Sequence, residues 1–289
     1  MHVWGRKLLR FVVDSLVILA AGAVFSALLF RLSPGTDTDA RELDPRYSAK
    51  SIESIRAERA RQHSLAGRSL SYFLAMSRGD LGTSESSGLP VSELMLDRLP
   101  ITVRTVALGA LIGFLAGAVS AGACALLLPR IAEFAASSAF LGLLSMPAGL
   151  LVLFAVFGRV PIEWAVGAAA APRVYFYAVR LFGVHARAPY VTGALSAGVG
   201  PVRIAIFQIL PALRSELAAL FGFAVVTAIA AAIPAEVLSG RAGIGQLAWK
   251  SAMERDLPVV IAVTMAMIVA SRAVTLISSL PARDLRPTA

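Results

Sequence analysis

The side chains able to do chemistry are few and scattered. His2, His63 and His185 lie far apart, and none stands beside a cysteine or carboxylate at ligand spacing, so no metal site is expected. Cys124 is the single cysteine and sits inside an apolar run; it has no partner for an internal disulfide and reads as a small buried hydrophobe. No Gly-x-x-x-x-Gly-Lys-Ser/Thr occurs, so the chain is expected to hold no nucleotide phosphates itself. Gly243-Ile244-Gly245 lacks the strand and following glycine that frame a dinucleotide fingerprint. With no converging His, Asp or Glu, no catalytic residue and no cofactor of its own are expected, and the chain reads as something other than an enzyme.

What remains is charge placed among apolar residues. The segment from Ile162 to Phe182 contains Glu163, Arg173 and Arg180, and a charge at the centre of a membrane helix costs about 2.5–3.5 kcal/mol, less toward the ends. Glu163 and Arg180 fall near the ends, but Arg173 does not. It is expected to face the bundle interior or a water-filled cavity, either with a part in translocation or paired with a neighbouring carbonyl or snorkelling.

The elements that carry these residues follow from composition. The chain has 289 residues, 57% of them hydrophobic and 16% charged, with mean hydropathy +0.74, which excludes an ordinary soluble domain. The net charge of +9 is not organised as a basic stripe interleaved with aromatics, so nucleic acid is not an expected partner. Arg6, Lys7 and Arg10 precede the apolar run Phe11 to Phe30. That run is long for a signal peptide and no clear small-residue cleavage site follows, so it reads as a retained span with a cytoplasmic start.

Pro34-Gly35 ends this span, and a mixed-charge segment with Arg56, Glu58, Arg59 and Arg61 follows. Leu70, Phe73, Leu74 and Met76 form either an amphipathic stretch on the membrane surface or an ordinary packed loop helix. Further spans are expected over Ile101–Leu128, Ile131–Phe157, Ile162–Phe182, Leu217–Val237 and Leu257–Leu280. Gly109, Gly113 and Gly117 recur about one turn apart, which suits close helix contact in a bilayer. Ser145-Met146-Pro147 predicts a kink, and Pro100 suits a helix start.

The fold class is therefore all-α, a polytopic membrane protein with about six transmembrane helices. One domain covers 1–289: a tail and first span over 1–32, an extracytoplasmic segment over 33–100, and a core over 101–289. Within that core, 183–213 form a cytoplasmic loop. The stretch from Tyr190 to Pro211 reads as helix, turn, helix: Ala194 and Ala197 can pack closely, Gly198 permits a sharp turn, Pro201 suits a first helical turn, and Leu210-Pro211 marks a junction.

Three groups of residues carry a resemblance. Gly79-Asp80-Leu81-Gly82-Thr83-Ser84, then Pro90-Val91-Ser92-Glu93-Leu94 and Arg98-Leu99-Pro100, stand just before a membrane helix. Glu236 precedes Gly243-Ile244-Gly245, and Arg255-Asp256-Leu257-Pro258-Val259-Val260 opens the last span. Together with Tyr190–Pro211, these resemble the permeases of dipeptide, oligopeptide and nickel ABC transporters over nearly the whole chain. Thr192-Gly193-Ala194 stands where that family usually has Glu-Ala-Ala, and Arg241-Ala242 replaces its usual Trp-Pro.

The resemblance implies the type I ABC importer permease fold in a bacterial inner membrane, both termini cytoplasmic. It implies a coupling loop of Tyr190, Thr192, Gly193, Ala194, Ala197, Gly198, Leu210 and Pro211 that seats on an ATPase, and an extracytoplasmic loop or gate of Glu236, Gly243 and Gly245. Implied partners are ATPase subunits that bind and hydrolyse ATP with Mg, a second permease, an extracytoplasmic solute-binding protein and lipid. Peptides are the leading solute class, with nickel or another small solute as the alternative. A secondary transporter and a diverged, non-transporting scaffold are the competing readings.

Overall fold

The computed structural model describes residues 80–127 and 129–279, together with Val13, Val17, Ile18 and Ala21. Apart from those four residues, the expected first span lies outside the described residues, as do the surface stretch around Leu70–Met76 and the chain after Ser279.

Among the described residues the chain is helical, with one isolated bridge between Thr83 and Pro90. Helix α1 spans Val91–Leu126, α2 Arg130–Ser145, α3 Ala148–Phe157 and α4 Ile162–Ala186. Next come α5, Pro189–Ser196, and α6, Pro201–Ala212, which widens to π geometry over Ala205–Ile209. Helix α7 spans Arg214–Ser239, α8 Ile244–Glu254 and α9 Leu257–Ser279.

Three of these helices, α1, α7 and α9, are long and apolar enough to cross a membrane, or four spans if the bent pair α2–α3 counts as one. This departs from the expected tally in three places. The first span is outside the described residues but for four positions. Helix α4 is not among the helices apolar enough to qualify, although Pro172 does not interrupt it. At Met146-Pro147 the expected kink is a full break: α2 and α3 meet at 95°, and Met146 is extended, with φ −82° and ψ 130°. Proline removes a donor and disfavours helical geometry in the residue before it, so the chain leaves the helix there instead of bending through it.

Pro100 is also corrected, since α1 begins at Val91 and Pro100 lies inside it.

The chain divides into two compact units, one of 1–97 with 247–269 and one of 98–246 with 270–289. In the first, the turn over 80–90 is fastened to Asp256. The Ser84 hydroxyl donates to Asp256 Oδ2 at 2.5 Å and the Ser86 hydroxyl at 2.9 Å, while the Glu85 and Ser86 N–H groups donate at 3.2 Å. Asp80 accepts the Gly82 N–H at 2.9 Å. Gly82 has φ +72°, a left-handed turn that glycine adopts without penalty.

The second unit is built on contacts among small residues. A Cβ at Gly113 would meet Ala170 Cβ at 2.7 Å and Gly167 O at 2.8 Å; one at Gly117 would meet Ala171 O at 2.6 Å; one at Gly109 would meet Val166. Each step of four residues on α1 matches a step of four on α4, so the two run parallel in register, backbone nearly on backbone. Helix α7 runs antiparallel to α4. Ile162, Ala165 and Val166 share one buried cluster with Ala231, Ala232 and Ala235, while Tyr175, Ala178 and Phe182 share another with Leu220 and Ala224. The parallel setting of α1 and α4 obliges α2 and α3 to carry the chain back along the bundle between them.

Candidate functional site

The antiparallel pair α4–α7 has two chemically distinct ends. One is polar and buried. Glu236, wholly buried near the end of α7, accepts the Gly245 N–H on Oε2 at 2.7 Å. A Cβ on Gly243 would run into the Glu236 carboxylate, and one on Gly245 would meet Ile233 Cα at 2.7 Å. Both glycines are therefore required by space, with their backbone wrapped on the carboxylate. The Thr102 hydroxyl of α1 accepts the Ile244 N–H at 2.8 Å, and Gly240 turns the chain at φ +70° after α7. The sequence links Glu236, Gly243 and Gly245 only by proximity; the structure brings all three into one knot.

Two further residues join this end. Arg241 donates from Nη1 to Glu163 Oε1 at 2.6 Å. Glu163 is otherwise buried, and its Oε2, like Glu236 Oε1 and Thr105 Oγ1, has no hydrogen-bond partner. Sequence reading treats Glu163 as a tolerated terminal charge. The signal was present, because a carboxylate in the first turn of an apolar helix needs a cation, but nothing local identifies Arg241. The arrangement offers no nucleophile paired with a base; what it can do is fix the loop 240–245.

The other end is apolar and outward-facing. Helices α5 and α6 form the expected helix–turn–helix, with Gly198 left-handed at φ +80° between them. Val191, Ile204, Ile209 and Leu213 anchor it in the core. Tyr190, Thr192, Gly193, Gly198, Leu210 and Pro211 are exposed, and Ala194 packs against the core. Ala197 follows the last turn of α5 and is exposed. The junction falls at Leu213, φ −92° and ψ 4°, two residues beyond Pro211. Leu195, Val202, Ile206 and Phe207 add to the apolar surface, Phe207 at 70% exposed; sequence reading assigned the last three no role, although their spacing on a short helix marks an unburied face.

No protein-family model and no curated protein matches the sequence.

Arg173 belongs to neither end. It is not in the packed interior: its side chain is exposed, Nη1 donates to Ala169 O one turn back at 2.8 Å, and it lines a cavity against the α2–α3 break. The carbonyl contact and the cavity are both among the expected alternatives.

Proposed function

We propose that the chain is a membrane-spanning permease subunit of an ATP-driven importer, moving peptides or a similar small solute received from an extracytoplasmic binding protein. The observation that carries this reading is the α5–α6 element, an apolar knob fastened by four buried side chains to the end of α4–α7. Two helices of 8 and 12 residues exposing Leu195, Phe207 and Leu210 suit the groove of a partner better than water. Such a seat is what an ATPase subunit would use to pass on its closure, with ATP and Mg held by that partner, and alternating access would follow as a rigid-body shift.

In this reading α4 counts as a span, because its Val166–Tyr175 stretch lies beside Gly109–Gly117 of α1. With the run at Phe11–Phe30 the total is six. The termini and the α5–α6 knob then lie in the cytoplasm of a bacterial cell and the Glu236 knot lies outside, beside the binding protein. A second, similar permease completes the pathway.

The test is purification of the chain from its native membrane in mild detergent. An ATPase and a second permease should accompany it, with ATP turnover stimulated by loaded binding protein. Phe207→Glu should reduce the recovered ATPase by about tenfold or more, the cost of a charge in an apolar seat, without lowering the melting temperature. A chain that purifies alone would instead favour a secondary transporter or a scaffold.

A further inference from the structure

The 95° break at Met146-Pro147 opens a cavity of about 250 Å³ between the α2–α3 elbow and the flank of α4. Leu143, Leu144, Met146 and Pro147 line it beside exposed backbone, and its polar side chains are Ser145 and Arg173. The Ser145 hydroxyl is turned back onto Leu141 O at 2.9 Å. The Arg173 guanidinium uses one donor on Ala169 O, and among the described residues no carboxylate pairs with it. A guanidinium carries five donors, so the others remain for a guest.

Position sharpens the chemistry. Arg173 lies about 16 Å from the start of α4 and about 20 Å from its end, at 1.5 Å per residue. In a spanning helix that is mid-depth, beyond the reach of lipid headgroups, where an unpaired cation is expensive and marks a solute path. No acidic group lines the cavity, so a bare metal cation meets only repulsion there. A planar carboxylate meets a fork of donors that matches its two oxygens, and the Leu143, Leu144, Met146 and Pro147 side chains offer contact to the uncharged remainder of the solute.

We infer that the cavity at the α2–α3 break is a solute subsite in which Arg173 holds the carboxylate of a peptide-like or other organic acid, and that free metal cations are excluded from it. The inference rests on the transport reading above and narrows its solute to carboxylates. Discontinuous helices beside a charged group are a recurrent way of building such a seat in membrane transporters.

The test is equilibrium binding of radiolabelled trialanine and of its C-terminal carboxamide to the full chain in lipid nanodiscs, purified with whatever partners accompany it. The wild type should bind the acid about tenfold or more tightly than the amide, the worth of one charged hydrogen bond. Arg173→Gln should erase that ratio and Arg173→Lys should restore part of it. Because the readout is a ratio within one preparation, partial misfolding does not imitate the effect. An unchanged ratio in Arg173→Gln, equal binding of acid and amide by the wild type, binding of neither, or displacement of the acid by Ni2+ alone would each overturn the assignment. A carboxylate preference in a chain lacking any co-purified ATPase would keep the subsite and remove the ATP-driven reading.

Discussion

Glu163 and Arg241 are 78 positions apart and meet at 2.6 Å. Their worth is set by how unequal they are: Glu163 is buried, whereas Arg241 keeps 38% of its side chain exposed. Removing the cation alone strands a buried carboxylate, so Arg241→Ala should cost about 1–3 kcal/mol. Adding Glu163→Gln to it should recover much of that loss, and a double-mutant cycle on melting temperature measures the difference. Asp256 answers to pH. Burial pushes its carboxyl up, but the hydrogen bonds from Ser84, from the Ser86 N–H and hydroxyl and from the Glu85 N–H outweigh burial and hold it below the usual carboxylate range. A depressed folded value contributes stability above the unfolded value, about 3.9, and loses it as pH falls through the folded one. Asp256→Asn should therefore lower stability at pH 7 by about 1.5–3 kcal/mol, and the gap from wild type should close below about pH 4 in melts followed by circular dichroism. The sequence displayed both Ser84 and Asp256 within suggestive motifs, yet gave no sign that one held the other, because the pairing joins positions 172 apart.

At the scale of elements, periodicity and punctuation were informative and pairings were not. The glycine spacing of α1 announced a close contact, Gly198 a sharp turn and Pro147 a kink, since each is a property of the local backbone. The severity of the break was not legible, because it depends on what α4 presents opposite. Nor was the start of α1, which passes through Pro100 from Val91; a proline early in a long helix forfeits one hydrogen bond that packing can offset. The glycines divide into those with and without room, and this yields a contrast. Gly113→Ala should destabilise the protein by about 1–3 kcal/mol through overpacking. Gly142→Ala, where a Cβ has nothing within 4 Å, should be neutral or stabilising by up to about 1 kcal/mol. Thermal unfolding in one detergent compares them directly.

For the whole molecule, sidedness is the property that composition addresses only statistically. The geometry makes it testable with a single probe, since Cys124 is the sole cysteine and is buried. Val160, 45% exposed, adjoins the Glu163 end of α4, and Thr192 belongs to the opposite end. Under the topology proposed above, a membrane-impermeant maleimide should modify Val160→Cys rapidly in right-side-out vesicles and Thr192→Cys only after lysis; equal labelling of both would contradict a spanning α4. The contact between α1 and α4 limits what such a molecule can do. Gly109, Gly113, Gly117 and Gly167 interlock with Val166, Ala170, Val174 and Ile112 so closely that a shift of one residue, about 1.5 Å, would drive side chains into backbone, and the next comfortable seat is a whole turn, about 5.4 Å, away. The two helices therefore behave as a single stiff beam: spin labels placed one on each should report one unchanging distance under every condition that leaves the protein folded.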